Sequence, residues 1–392
     1  MYDWLIIGGG IHGTHLSLAL TRRYGIPLER VAVLDPFDVP LARWNQVTRN
    51  TSMRYLRSPH VHNLHYDQGA LAVFARIHDG ETYTNFIPPF HRPSLALFQA
   101  HSQYLIDKYR LRDMRIKGYA RNLCRSGQGW LIETDDTPIK ARNIMLAIGG
   151  MNQTRWPQWA VELQNAGASV HHIFDAAFDY GMLLPDQRVI VVGGGISAAQ
   201  TALAMADTHP GKVTFLSRHK ARIQDFDTDT GWMNAIYLRD FAQVQDFNKR
   251  REIIDGARYP GSMPHEVYQA VQYAVHAGTL DFVVNRVDMA QANGLTQLKL
   301  ADGSWLAADH VLLATGFHRA RPGGIWLENV VNAYSLPTAA CGYPIVDSAL
   351  RWADGLFVTG PLAELELGPA ARNIIGARMT GERLKFAAVH AR

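Results

Sequence analysis

The sequence predicts an α/β protein built from two similar units, one inserted in the other, with a small helical insertion. Three observations carry this. An apolar strand running into a glycine-rich turn occurs twice, at Asp3–Gly13 and at Arg188–Ala199. Each turn leads into a helix-compatible stretch and then a second apolar strand, Val31–Asp35 or Lys212–Leu216. Two later apolar segments, Asn143–Gly150 and His310–Gly316, end in small residues, the form taken by chain crossings between paired units. They place one unit at 1–150 plus 316–392 and the inserted one at 151–315, with helices at about 225–278.

The first turn, Gly8-Gly9-Gly10-Ile11-His12-Gly13, is a GxGxxG, and an acid, Asp35, ends the next strand 22 residues beyond Gly13. That register is the one a dinucleotide-binding, Rossmann-like unit requires. Gly8 permits the tight turn, Gly10 lets backbone approach a pyrophosphate, Gly13 lets helix and strand pack closely, and Asp35 can accept ribose hydroxyls. The second turn, Gly193-Gly194-Gly195-Ile196-Ser197-Ala198, is a GxGxxA. Its second strand ends in Ser217-Arg218-His219-Lys220, with Arg222 beyond, and in no acid. A carboxylate there would repel a 2′-phosphate, whereas Ser217, Arg218 and Lys220 suit one. The first unit therefore reads as an FAD site and the second as an NADPH site.

Composition removes other classes. Over 392 residues Lys+Arg exceed Asp+Glu by only 39 − 35 = 4, and no run of five or six like charges occurs, so no nucleic-acid partner is expected. No apolar run approaches the ~18 residues of a membrane span, and no basic leader precedes Trp4; the expectation is a soluble, cytoplasmic protein. The two cysteines, Cys124 and Cys341, form no CxxC, which excludes a disulfide framework, a cysteine zinc site and an active-site dithiol. Seventeen histidines include no HExxH, and no metal is expected.

Near the C-terminus, the strand Gly355–Gly360 is followed by Gly368-Pro369-Ala370, where proline in a first turn suits a helix start facing the flavin. Asp309-His310-Val311-Leu312-Leu313-Ala314-Thr315-Gly316-Phe317, four residues, then Pro322 resembles the D-x3-(L/F)-ATG-Y-x4-(H/P) pattern of the flavin-dependent N-hydroxylating monooxygenases, with Phe317 for Tyr. Those enzymes hydroxylate the side-chain amine of ornithine or lysine. The chain departs from related patterns at Asn165, where an FxGxxxH has Phe, and at Asn234-Ala235, where the ornithine enzymes carry Asn-Glu.

The resemblance implies that Trp44–Pro59 passes along the flavin ring, with Trp44, Met53 and Arg54 as contacts and Asn50 of Asn50-Thr51-Ser52 beside its reactive edge. Asn50 serves equally as a turn former, and Trp44 and Met53 as core. It further implies hydride transfer from NADPH to FAD, a C4a-hydroperoxyflavin made with O2, and oxygen transfer to an amine nitrogen or a sulfur of a small molecule. The alternatives are an NADPH-dependent flavin reductase or oxidase, a sulfur- or carbonyl-oxygenating relative, and a nucleotide-binding sensor. The aromatic face of Trp232, Ile236, Tyr237, Leu238 and Phe241 suits either a substrate-pocket wall or a homo-oligomer contact.

Overall fold

The computed structural model describes residues 1–78, 85–385 and 387. The elements that position the site run β1 (Tyr2–Ile7), α1 (Ile11–Leu18), β2 (Val31–Asp35), α2 (Ala42–Asn50), β3 (Arg115–Lys117) and β4 (Ile139–Leu146). They continue with β5 (Val170–His172), β6 (Val189–Val192), α3 (Ile196–Thr208), β7 (Val213–Ser217), β8 (Leu280–Val284), β9 (His310–Leu313), β10 (Leu356–Val358) and α4 (Ile374–Arg383).

β1 is apolar at successive positions because both of its faces are covered. Trp4 and Ile6 enter one core with Leu16, Leu20 and Phe98, while Leu5 and Ile7 enter another with Trp130, Ile144 and Val358. Such unbroken apolar strands belong to parallel sheets layered between other elements. The sheet order is Arg351–Ala353, then β10, β4, β1, β2 and β3, with β10, β4, β1, β2 and β3 parallel. The hairpin of Ala120–Ser126 and Gly129–Thr134 joins β4 antiparallel.

β6 repeats the arrangement. Val189 and Val191 face α3 and the helix carrying Val271, and Ile190 faces Leu163, Leu216 and Leu298. Its all-parallel sheet runs β8, β7, β6, β9, β5. The first sheet thus draws strands from 2–146 and 351–358, and the second from 170–313.

Against the first core lies a helix over Leu95–Lys108, capped by Ser94, whose Oγ accepts from the Leu97 N–H at 3.2 Å. In the helical insertion, Trp232, Phe241 and Ile254 pack with Tyr343, Leu365, Ala370 and Ile375, so the insertion rests on the C-terminal part of the chain. Ile236 and Tyr237 stay exposed.

Several buried histidines are held neutral. His15 donates from Nδ1 to the Leu64 carbonyl at 2.9 Å, and burial lowers its pKa to about 3. Burial lowers His101 and His172 to about 4. The unfolded chain therefore takes up these protons first, near pH 6.5, so their contribution to stability is complete above that pH and declines as pH falls toward 4. We expect the urea midpoint to fall steadily between pH 6.5 and 4.5, each such histidine adding up to about 1.4 kcal/mol per pH unit. A midpoint constant over that range would contradict the assignment.

Candidate functional site

The first glycine loop joins β1 to α1. Gly8 has φ +111°, and a methyl group there would lie 2.4 Å from the Ala147 carbonyl oxygen; one at Gly13 would lie 1.8 Å from the Gly8 carbonyl oxygen. Both positions are closed to any side chain. Around the Cβ position of Gly10, by contrast, no described atom lies within 4 Å. Gly10 is also the N-cap of α1 and has no side-chain cap, so this open side adjoins the helix's free N–H groups.

Asp35 closes the loop from β2. Its Oδ2 accepts from the Gly9 N–H, and its Oδ1 accepts from the Phe37 N–H and from Arg115 Nη2, each at 3.0 Å. Arg115 also donates to the Phe37 carbonyl at 2.6 Å. Its side chain is 7% exposed, lies against Gly9 and, among the described residues, has no partner at Nε. Sequence reasoning missed Arg115. It is brought to Asp35 by the pairing of β3 with β2, and no local motif marks it.

The C-terminal segment meets the same loop through His12. Nδ1 lies 2.8 Å from the Thr359 hydroxyl and Nε2 lies 3.0 Å from the Asn373 carbonyl, a pattern that a neutral ring satisfies at both nitrogens. Burial lowers its pKa to about 4, against the raising effect of the Asn373 bond. Gly360 has φ +63° and faces the His12 ring. Gly368 packs against Leu238 and Trp232 of the insertion, and Ala370 is buried. The expected helix start at Pro369 is corrected: Pro369–Arg372 form a single 3₁₀ turn, and α4 begins at Ile374. Arg372 is drawn to the buried Glu364 at 2.6 Å and Asn373 is extended, which interrupts the helix.

α2 and the residues after it take up contacts across to the second unit. Asn50 donates from Nδ2 to the Ile173 and Phe178 carbonyls at 3.0 and 3.4 Å, and its own carbonyl accepts from the Tyr180 hydroxyl. Its amide N–H groups are thus engaged in joining the units. Trp44 packs near Phe98 with ring centroids 6.0 Å apart and lines a cavity of about 630 Å³ between α2 and the helix Leu95–Lys108. Met53 packs on the first core. Arg54 is 80% exposed and pairs with Asp207 at 3.4 Å.

The second glycine loop, between β6 and α3, is built alike but covered. A methyl group at Gly193 would lie 2.6 Å from the Ala314 carbonyl oxygen and 2.9 Å from the Ala198 side chain. At Gly195 the side that is open in Gly10 meets Gly261 Cα at 3.3 Å. Ser217 is buried and donates to the His219 carbonyl at 2.7 Å, while Arg218 and Lys220 are exposed. Arg155, which sequence reasoning also missed, donates to the Thr315 carbonyl at 2.8 Å. Its pKa is lowered by burial and then by the charges of Arg218 and Arg319. Asn234 caps the helix Ala235–Gln243, accepting from the Ile236 N–H at 2.8 Å.

A family model described as pyridine nucleotide-disulphide oxidoreductase matches residues 99–267. No curated protein matches the sequence. Among solved structures, the ornithine hydroxylase of Pseudomonas aeruginosa is similar at a TM-score of 0.78 and 15% identity, covering 100% of this chain and 99% of that one. The FAD-bound cadaverine monooxygenase of Erwinia amylovora gives 0.75 and 14%, covering 100% and 95%. The Kutzneria ornithine N-hydroxylase, solved with reduced FAD, NADP+ and L-ornithine, gives 0.72 and 17%, covering 100% and 99%.

The fold is that of the flavin-dependent N-hydroxylases. The two parallel sheets, each with its glycine loop, are the two similar α/β units that the sequence predicts. The first loop, with Gly10 open and Asp35 beside it, fits the pyrophosphate and ribose of FAD; at the second, the corresponding side of Gly195 lies against Gly261. Among the described residues no group of histidine, cysteine or acidic side chains is arranged to hold a metal, and no helix is long and apolar enough to cross a membrane.

Arg115 acts on the Asp35 side of the first loop. Arg115→Ala should weaken FAD binding roughly tenfold, the scale of one lost charge-assisted hydrogen bond, and leave FMN binding unchanged, because FMN lacks the adenosine half. Titration with both flavins checks this; equal losses for FAD and FMN would count against it.

Proposed function

We propose that the chain is an FAD- and NADPH-dependent monooxygenase that hydroxylates an amine nitrogen of a small molecule. FAD is held by the unit formed from 1–150 and 316–392, and NADPH by the inserted unit 151–315. The observation that carries the reading is the pair of glycine loops in a chain without a dithiol. Cys124 lies on the strand Ala120–Ser126 and Cys341 is exposed, and no CxxC exists to support the disulphide-reducing chemistry named by the matching family model. The structurally similar enzymes named for ornithine and cadaverine support an amine acceptor.

When bound, reduced flavin would supply the two electrons that activate O2, one oxygen atom of which goes to nitrogen while the other leaves as water. The chain's own residues do the rest. Gly8, Gly10 and Gly13 admit the FAD pyrophosphate, and Asp35, oriented by Arg115, accepts from the ribose. His12, neutral at working pH, fixes Thr359 and Asn373, on either side of the Gly360–Ala370 segment, against that loop. Asn50 keeps α2 registered on the second unit, and Trp44, Met53 and Arg54 line the approach from that side. Gly193, Gly195 and Ala198 receive the NADPH pyrophosphate, Ser217 shapes the turn that follows, and Arg218, Lys220 and Arg155 take the 2′-phosphate. The amine must arrive unprotonated to react, which a site that strips water from an ammonium favours.

The test is NADPH oxidation by the FAD-loaded protein over a panel of amines, diamines and amino acids, with hydroxylamine products measured by mass and peroxide measured in parallel. Coupled hydroxylamine formation is expected with at least one amine. Stoichiometric peroxide and no oxygenated product would assign the chain to the oxidases instead. On the nucleotide side, Arg218→Ala should raise the KM for NADPH roughly tenfold and leave that for NADH nearly unchanged. Equal changes for the two nucleotides would refute the phosphate assignment.

A further inference from the structure

We propose that residues 259–263 form a strap over the second glycine loop, that Arg57 latches the strap, and that a nicotinamide dinucleotide binds by displacing it. The proposal rests on the NADPH reading above.

The two glycine loops are an internal comparison, since the same motif is seen twice in one chain. The Cβ side of Gly10 is clear of described atoms to 4 Å. The same side of Gly195 is filled by the chain's own backbone, with Gly261 Cα at 3.3 Å and the Ser262 carbonyl oxygen at 3.6 Å. That side is where the second glycine of such a motif admits a pyrophosphate. His219 completes the cover. Its ring lies against both Gly194 and Gly261, so that a methyl group on either would come within 2.8 Å of it.

The strap is held in place from two directions. Ser262–Met263 pair with Arg222–Ile223, the Gln224 N–H donates to the Met263 carbonyl at 3.0 Å, and Arg222 donates to the Pro260 carbonyl at 3.2 Å. From the first unit, Arg57 donates to the Gln224 and Phe226 carbonyls at 2.7 Å each, to the Ser262 hydroxyl at 2.8 Å and to the Asp225 carbonyl at 3.2 Å. Arg92 holds the helix that follows the strap, His265–His276, by pairing with Glu266 at 2.7 Å. Nearly every Arg57 bond goes to backbone or hydroxyl oxygen rather than to a carboxylate, which suits a latch whose partners can separate without stranding a buried anion.

A site closed by its own chain binds with its intrinsic affinity reduced by the open fraction. Loosening the strap should therefore tighten nucleotide binding, the opposite of what loss of a ligand contact does. NADP+ is titrated into the FAD-loaded wild type, Arg57→Ala, Arg57→Lys and Gly261→Ala, with FAD affinity as the control for folding. Gly261 has φ +69°, so Gly261→Ala disfavours the strap conformation without touching Arg57. Arg57→Ala is expected to bind NADP+ about tenfold more tightly, Gly261→Ala to shift the same way and Arg57→Lys to fall between. In the wild type, NADP+ should speed hydrogen exchange at the Gln224 amide.

Unchanged or weaker NADP+ binding in Gly261→Ala and in whichever Arg57 variant retains FAD would overturn the strap, as would an unchanged Gln224 amide. If neither the wild type nor any variant binds NADP+ while all bind FAD, the NADPH reading itself falls and the strap with it.

Discussion

One neutral imidazole holds the first nucleotide unit together. His12 sits inside the first glycine loop, yet its two ring nitrogens reach Thr359 on the far side of the last strand and Asn373 at the head of α4. Between residue 12 and residue 359 the chain builds the whole second sheet and returns. The return is registered by β10 pairing with β4, and His12 then locks the segment after β10 onto the loop. A protonated ring would lose its acceptor toward Thr359, so the lowered pKa and the geometry express the same constraint.

The insertion is fastened to that locked segment by buried charge. Glu364 is fully buried and meets Arg251, Arg258 and Arg372 at 3.2, 2.7 and 2.6 Å. Burial raises its pKa, but the three guanidinium groups outweigh burial and hold the carboxylate ionised. Arg251 and Arg258 belong to the insertion and Arg372 to the turn before α4, so one carboxylate ties both. Such a cluster adds little stability compared with an apolar core, but it fixes position, because any other register strands a buried charge.

Most of the frame was legible in the sequence because it is encoded locally. Glycines that must be glycine, as Gly8 and Gly13 must, announce themselves by type and spacing, and the apolar runs of β1, β6 and β9 require cover on both faces. What was not legible depends on long-range register. Arg115 reaches Asp35 because Val33 pairs with Arg115 across two strands. Arg155 reaches the second site because Thr154 bridges to Phe317. Asn50 stood in a triplet suggestive of a reactive edge, but only the packed structure shows its amide turned to the Ile173 and Phe178 carbonyls. Pro369 illustrates the converse: its local signal for a helix start is real, but Glu364 and His12 pull the backbone on either side of Asn373 into a turn first.

The closed second loop also connects to the open first one through consecutive contacts. The strap's partner strand, Arg222–Ile223, is followed four residues on by Asp227, which accepts from Asn373 Nδ2 at 3.0 Å. The carbonyl of that same Asn373 is the one His12 holds. The strand that pairs with residues 259–263 thus ends four residues before Asp227, whose partner Asn373 is part of the first glycine loop's frame. From the first unit Arg57 reaches Ser262 and the Gln224 carbonyl, and Arg92 reaches Glu266 in the helix that follows, so residues 259–266 are held from that side as well. In this arrangement the hydrogen bonds that seat residues 259–263 and those that frame the first glycine loop form one connected series, through residues 222–227 to Asn373 and His12.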